Sequence, residues 1–298
     1  FKNTITADFL LWEPKGMKFD LVMGNPPYTS GTQAANVIWN KFIEKGLDTL
    51  TTKGTMAMVV TQSFASSSQY TNLRKRLLQK GLAKVVFLPR ETFNIDQTTL
   101  YFISQPCDET IVTNGTSYVC HPTDVIFKDE MLASINRKIE KVQGIEYYKN
   151  TSYIFRHEVT TKKSCKMVTL INGTECVIGE GDCYGEDTEK HRLIAQYFMD
   201  DAIFQYRRIW YCPPGVSTGK YRSMVVKNEV EGKVLESLFK SKLFLAIFKG
   251  TSSSRTLDGA QMRFLPKLDL SRTWTDQELY AHFGLTEEEI RYIEANVR

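Results

Sequence analysis

The run Phe19-Asp20-Leu21-Val22-Met23-Gly24 passes directly into Asn25-Pro26-Pro27-Tyr28, and this junction restricts the fold more than any other stretch. The run is short, apolar and β-favouring, so it reads as a buried strand. Two consecutive prolines forbid both helix and further ladder pairing, which forces a stiff, extended turn at the strand's carboxyl end. In an open α/β sheet that edge is where ligands bind. The turn therefore presents an amide side chain, backbone carbonyls without competing N–H groups and an aromatic ring on a rigid loop. A proline-rich connection with a packing tyrosine is the plainer alternative, and the strand that precedes the turn weighs against it.

The residues around this junction alternate between strand and helix patterns. Val37 to Leu50 carries apolar residues spaced for one buried helix face, and Met56–Val60 reads as the next buried strand. Tyr70–Lys80 reads as an amphipathic helix closed by Gly81, followed by strands at Lys84–Leu88 and Thr98–Ser104. Alternation of this kind predicts a mainly parallel sheet, with Thr98–Ser104, reached by a short loop, as an antiparallel member. After about Pro106 the texture changes. Short β-like runs (Ile111–Thr113, Ser117–Val119, Met167–Ile171, Glu175–Ile178) are interrupted by a helix at Met131–Val142, and residues 188–200 look helical. Ile203–Tyr211 is aromatic and basic, which suits a nucleic-acid clamp and an ordinary strand equally. One long helix is expected over Glu229–Phe248 and two short ones at Thr275–Phe283 and Thr286–Val297, each opened by a threonine with acids in its first turn.

Composition sets limits rather than a function. The 298 residues hold one large or two ordinary domains, and 42% hydrophobic with 24% charged is ordinary for a globular chain. A net charge of +4 permits nucleic acid as a partner but does not demand it. No apolar run approaches the roughly 20 residues that span a bilayer, so a cytoplasmic protein without membrane contact is expected. Six cysteines occur without a C-x-x-C pair, which suits reduced thiols. Cys165, Cys176, Cys183 and His191 do not have the spacing of a compact zinc ribbon or finger, so no metal is expected. His121, His157, His191 and His282 form no constellation, and Arg74-Lys75-Arg76 reads as a solvated helix face. A chain that opens on Phe1, almost directly at a strand, is expected to be one part of a longer protein.

The turn suits one chemistry well. Methyl transfer to an exocyclic amine requires the amine lone pair to be freed from its ring, aligned and clamped. The Asn25 side-chain oxygen and the Pro26 carbonyl can each accept one amine hydrogen, while Tyr28 stacks on the ring; positioning carries the load rather than a strong base. At this point the chain resembles the S-adenosylmethionine-dependent adenine-N6 DNA methyltransferases of the Asn-Pro-Pro-Tyr type, mostly from restriction–modification systems and phages. Asp8-Phe9, 17 residues before Asn25, matches that family's Asp-Phe, and Phe19–Tyr28 matches its catalytic segment. Gly54–Val60, Ser63-Phe64 and Leu73–Leu78 follow its next strand and helix. Near the other end, Glu231–Phe248, Ser252-Ser253-Ser254-Arg255, Phe264-Leu265-Pro266 and Trp274–Glu294 look like its DNA-reading and closing regions.

The resemblance implies an α/β fold: a partial doubly wound, Rossmann-like methyltransferase sheet followed by an α+β DNA-recognition region. The domains would be 1–106 (carboxyl-terminal half of the catalytic domain), 107–270 (target recognition) and 271–298 (closing helices). It implies catalysis by Asn25, Pro26 and Tyr28, and S-adenosylmethionine contacts from Asp8, Phe9 and Asn25. Tyr28 and Phe93 would stack on a flipped adenine. Arg207, Arg208, Ser253, Ser254 and Arg255 would contact double-stranded DNA; for the two arginines an ordinary strand with exposed side chains is an equal alternative. The family's Gly-rich donor loop and ribose-binding acid should precede Asp8 and are absent from these residues. An amino-terminal fragment or partner chain would then complete the catalytic domain. The alternatives are an inactive or split derivative that binds DNA or protein, and a protein-glutamine methyltransferase, against which the long carboxyl-terminal region argues.

Overall fold

The computed structural model describes residues 5–29, 37–93, 98–120, 122, 125–143, 156–157, 164–171, 175–182, 189–196, 209–217, 221–251 and 267–297. The chain divides into two units, Phe1–Glu130 and Met131–Arg298. The fold is α/β, as the sequence predicts, but its first sheet is mixed rather than mainly parallel, with two parallel pairings and three antiparallel ones.

The first unit is built on a six-stranded sheet. Its strands are β1 (Phe19–Gly24), β2 (Leu50–Thr61), β3 (Leu82–Phe87), β4 (Thr99–Ser104), β5 (Thr110–Asn114) and β6 (Thr116–Cys120), in the order β1-β2-β4-β3-β5-β6. β1 runs parallel to β2, and β3 parallel to β5. β4 is inserted antiparallel to both neighbours, as its short approach loop predicts. The sheet thus continues through the β5–β6 hairpin, turned at Gly115 with φ +76°, beyond residue 106 where the sequence changes texture.

Side-chain alternation gives this sheet two unlike faces. Across one run the register partners Met58, Phe102, Val85, Val112 and Tyr118, all buried. Helix α1 (Trp39–Thr49) lies on this face: a Cβ at Gly46 would lie 3.2 Å from Val22 Cγ1 and 2.7 Å from Met56 Cε, so the helix approaches the sheet closely there. The other face carries the partners Met23, Ala57, Ile103, Lys84, Ile111 and Val119. Helices α2 (Ser63–Ser66) and α3 (Thr71–Lys80) follow β2. α3 stops at Gly81, φ +108°, whose missing Cβ would lie 2.1 Å from the Gln105 carbonyl. The Gly81 carbonyl accepts from Gln105 N and from Ser104 Oγ, which joins the end of α3 to the end of β4.

In the second unit, α4 (Glu130–Gln143) begins one residue before the unit boundary. A four-stranded sheet has the order β11-β10-β13-β7, with β7 (Arg156–His157), β10 (Arg192–Gln196), β11 (Ile209–Cys212) and β13 (Tyr221–Val225). A three-stranded sheet joins β8 (Ser164–Ile171), β9 (Glu175–Asp182) and β12 (Val216–Ser217). β10 corrects the expectation of helix over 188–200. Leu193, Ile194 and Ala195 are buried, with antiparallel neighbours on both sides, and an apolar run this short does not by itself separate strand from helix.

The helix expected over Glu229–Phe248 is two helices, α5 (Glu229–Lys240) and α6 (Lys242–Thr251). Ser241 is extended between them; its hydroxyl donates to the Leu238 carbonyl at 2.7 Å and accepts from Phe244 N at 3.5 Å, ending one helix and starting the next. The apolar spacing continues through the break, so periodicity alone cannot reveal it. Gly232 lets α5 close on Tyr211, where a Cβ would lie 2.5 Å from the ring. The chain closes with α7 (Asp276–His282) and α8 (Glu287–Asn296), each opened by the expected threonine in a reciprocal capping box. No helix among the described residues is long and apolar enough to cross a membrane.

Candidate active site at the carboxyl edge of the first sheet

Because β4 is antiparallel to its neighbours while β1, β2 and β3 share one direction, the carboxyl ends of β1, β2 and β3 lie along a single edge. The connections leaving those strands therefore meet there. β4 starts from the same edge, and two backbone bonds fasten it: Gln62 N donates to Thr98 O at 2.9 Å and Leu88 N to Thr99 O at 3.0 Å.

The Asn25–Tyr28 turn leaves β1 at this edge with Asn25 exposed, Pro26 buried, Pro27 exposed and Tyr28 half-buried. Its far side is clasped by backbone pairing, since the Tyr28 carbonyl accepts from Ile38 N at 3.2 Å and Thr29 bridges Val37. The Tyr28 hydroxyl is buried without a hydrogen-bond partner among the described residues, as is Asn40 Oδ1, two residues beyond Ile38. Burial pushes the Tyr28 phenol pKa up, which keeps it neutral. An unsatisfied buried hydroxyl of this kind costs about 1–3 kcal/mol.

Asp8 and Phe9 sit in a turn tied to α1. The Asp8 carboxylate accepts from Leu10 N at 2.9 Å and its carbonyl from Trp12 N at 2.8 Å. The Phe9 ring stacks on Phe42 of α1, centroids 5.7 Å apart, and Lys45 of α1 donates to the Leu10 carbonyl at 3.1 Å. The helix that follows the Asn25–Tyr28 turn thus also holds the Asp8–Phe9 turn. Asp8 is exposed beside a half-buried aromatic ring. A carboxylate acceptor next to a ring suits the exocyclic amine and flat face of an adenosyl group, so these residues fit the implied donor.

Beneath the edge lies an aromatic support that the sequence reading did not single out. Trp39, at the start of α1, is buried with its ring 4.4 Å from Tyr70 and 6.3 Å from Phe64, and Phe64 stacks on Phe102 of β4 at 5.2 Å. Arg74 corrects the expectation of a solvated basic face. It is fully buried, and its guanidinium donates to the Phe64 and Ser67 carbonyls at 2.7 and 2.8 Å and to Thr71 Oγ1 at 3.2 Å, which fixes the chain leaving β2. Arg76 does face solvent, paired with Asp48 at 2.8 Å. A basic triplet on a helix gives no sequence signal that its first member turns inward.

Phe93 is half-buried just past a short 3-10 turn, Arg90–Thr92, which follows β3 at the same edge. β3 and β1 are three positions apart in the sheet, roughly 14 Å at the usual strand spacing. Phe93 thus shares the edge with Tyr28 but starts from a strand well to one side. Arg207, Arg208, Ser253, Ser254 and Arg255 lie outside the described residues. Of the basic, aromatic run, Trp210 is buried and Tyr211 is structural: its hydroxyl bonds His191 Nδ1 at 2.5 Å and its backbone N–H donates to Glu236 at 2.8 Å. His282 packs against Trp274 and Phe283. Among the described residues no group of three or more His, Cys, Asp or Glu side chains could hold a metal.

Comparison with known proteins gives the edge a context. The chain is 31% identical over 108 residues to the type II methyltransferase M.TthHB8I of Thermus thermophilus, covering 28% of this chain and 25% of that protein. It is 27% identical over 193 residues to the modification methylase CviBIII of Paramecium bursaria Chlorella virus NC1A, covering 56% of this chain and 50% of that one. The chain therefore spans a quarter to a half of the length of these curated relatives. Among solved structures, the type IIL restriction-modification enzyme MmeI in complex with DNA aligns over 93% of this chain and 54% of its own, at 10% identity and TM-score 0.46. Residues 1–93, which carry Asp8, Phe9, Asn25–Tyr28 and Phe93, match the model of the Eco57I restriction-modification methylase family.

Proposed function

We propose that this chain carries the acceptor side of a DNA methyltransferase of restriction–modification type, acting on the N6 amine of an adenine flipped out of the duplex. The observation that carries the reading is the joint seat of two motifs. The Asn25–Tyr28 turn leaves β1 at the carboxyl edge, and the Asp8–Phe9 turn is bound to the helix that follows it. The match of residues 1–93 to the methylase family and the methyltransferase names of the curated relatives support it.

In this reading the exposed Asn25 accepts one amine hydrogen and the Pro26 carbonyl the other, drawing the nitrogen toward tetrahedral geometry with its lone pair freed from the ring. Tyr28 provides a neutral aromatic surface for the extruded base, worth about 1–3 kcal/mol if it stacks as aromatics do on unpaired bases. Phe93 serves as a second aromatic wall. Asp8, Phe9 and Asn25 would hold S-adenosylmethionine, which supplies the methyl group when bound. Arg207, Arg208, Ser253, Ser254 and Arg255 are assigned to double-stranded DNA, with hydroxyls and guanidinium groups on phosphates.

The test is transfer of labelled methyl from S-adenosylmethionine to duplex DNA, followed by nucleoside analysis. N6-methyladenine as the product, falling about 10²–10³-fold in Asn25→Ala while DNA binding is retained, is expected; the size is that of losing one positioned hydrogen-bonding group at a reacting centre. Methylcytosine as the product, or full activity in Asn25→Ala, would refute the assignment.

A further inference from the structure

Helix α1 is fastened to the first sheet along one stripe: Trp39, Ile43 and Gly46, spaced at i, i+4 and i+7, are buried. Phe42 and Lys45, three residues apart and half-buried, flank that stripe as neighbours on the helix surface. These two residues also reach the Asp8–Phe9 turn. The Phe42 ring stacks on Phe9 with centroids 5.7 Å apart, and Lys45 Nζ donates to the Leu10 carbonyl at 3.1 Å. The Lys45 side chain is only 19% exposed, although the Glu13 carboxylate, 84% exposed, lies 3.9 Å from its ammonium. A lysine head group ordinarily stays in water or joins an acid, whereas here the shorter contact is to an uncharged carbonyl.

The geometry of the turn gives that contact its purpose. Three successive N–H groups converge on Asp8: Leu10 N donates to the carboxylate at 2.9 Å, and Leu11 N and Trp12 N donate to the carbonyl at 3.1 and 2.8 Å. In a trans peptide the C=O and the N–H point in opposite directions. The Leu10 carbonyl shares its peptide plane with Leu11 N, so an ammonium that grips the carbonyl from outside turns that N–H inward to Asp8. The adjoining plane carries Leu10 N, which holds one oxygen of the Asp8 carboxylate. A carboxylate has two acceptor oxygens, so fixing one fixes where the other points. Asp8 and Leu11 are exposed, and a turn resting on local bonds among exposed residues opens at little cost. Phe42 therefore steadies the ring beside the carboxylate, and Lys45 the backbone beneath it.

We propose that Lys45 is a positioning residue for the methyl donor: acting through the Leu10–Leu11 peptide, it holds the Asp8 carboxylate in the direction that accepts the donor's adenine amine. The proposal rests on the methyltransferase reading for the identity of the ligand, while the hold on the turn is measurable without catalysis. Two measurements on the full chain test it. In the first, amide hydrogen exchange at Leu10, Leu11 and Trp12 should quicken about tenfold in Lys45→Met, which keeps the apolar stem and loses the ammonium, with Ile43 and Leu47 of α1 unchanged. Lys45→Arg, which keeps a cationic donor, should restore most of the protection. Lys41→Met, the same loss of charge at an exposed position one turn earlier, should alter nothing. In the second, methyl transfer to duplex DNA, KM for S-adenosylmethionine should rise about tenfold in Lys45→Met, the low end for losing a group that orients a ligand-binding side chain. The values of kcat and of KM for DNA should stay within about twofold, a split that a general loss of stability does not produce. Unchanged exchange at the turn, faster exchange spread equally over α1, a matching fall in kcat, or the same effects in Lys41→Met would each overturn the proposal. Faster exchange confined to the turn, in a chain whose parent transfers no methyl group, would leave the hold of Lys45 on Asp8 standing and count against the proposed function.

Discussion

Around the Asn25–Tyr28 turn a phenol hydroxyl and, at Asn40, an amide oxygen are buried without partners among the described residues, whereas in the second unit one carboxylate, Glu289, accepts from three groups. Glu289 opens α8, where its side chain accepts from Thr286 N at 2.7 Å, and reaches α4 through Ser134 Oγ at 2.9 Å and Lys138 Nζ at 2.6 Å. Nearby, Asp276 at the start of α7 accepts from Lys242 N at 2.9 Å, the first residue of α6, and Tyr280 and Lys242 both bind Glu294. Polar groups that exist to close a structure find partners within it. Polar groups left unsatisfied mark a place where local rules are broken, and such breaks gather at functional sites. The contrast predicts that damage to the Glu289 cluster is read as lost stability, and damage at the edge of the first sheet as lost activity.

The strongest attack on that contrast is Glu289→Ala. Removing a nearly buried carboxylate that accepts from a lysine, a hydroxyl and a backbone N–H should destabilise the chain by about 3 kcal/mol in urea titration, the upper end for charge-assisted hydrogen bonds, since the lysine left behind keeps access to water; a loss below about 1 kcal/mol would mean the network is not structural. Next, Arg74→Met should cost about 2–3 kcal/mol, because the buried guanidinium bridges two carbonyls through charge-assisted bonds. It tests whether the edge of the first sheet is itself held by a closed network beneath the site. Thr286→Ala should lose about 1 kcal/mol through its helix cap. Tyr28→Phe should have the smallest effect and the opposite sign. The ring is kept and only an unpartnered hydroxyl is removed, so stability should be unchanged or rise by up to about 1 kcal/mol with methyl transfer retained. A clear loss of stability would show that the hydroxyl has a partner.

Proton titration sharpens the same comparison. Burial alone would push the Glu289 carboxyl up, but Lys138, the Thr286 N–H and the Ser134 hydroxyl outweigh it and hold the pKa below the usual glutamate value. The unfolded chain binds that proton near pH 4.3, about the value of an unperturbed glutamate. The stabilisation is therefore complete above that pH and is lost as pH falls through the lower folded value. Glu289→Gln should flatten this acid limb of the stability curve, measured as urea midpoints between neutral and acid pH.

The parts of the molecule legible in sequence were those set by neighbours along the chain. The strand character of β1 and its proline turn, the antiparallel β4 and the threonine caps of α7 and α8 all follow from signals within about ten residues, but the burial expected of β1 does not hold: it lies at the end of the sheet with Leu21 and Met23 exposed. The parts that were not legible depend on partners far away. β10 is a strand because β11 and β13 flank it, and Ser241 breaks a helix whose apolar spacing never falters. Arg74 turns inward because the carbonyls of Phe64 and Ser67 await it. At the candidate site the letters Asn25–Tyr28 and Asp8-Phe9 were visible, but the aromatic support under them from Trp39 and Tyr70 was not, since a lone tryptophan at a helix start has no local meaning.

The clasp after the turn has an engineering consequence. Thr29 bridges Val37 and the Tyr28 carbonyl holds Ile38 N, so both of these contacts on the far side of the turn are made by backbone groups. Backbone donors and acceptors are the same for every residue but proline. Thr29, Val37 and Ile38 can therefore each be replaced by another non-proline residue with both contacts kept, which leaves their side chains open to redesign while Asn25 and Tyr28 stay seated.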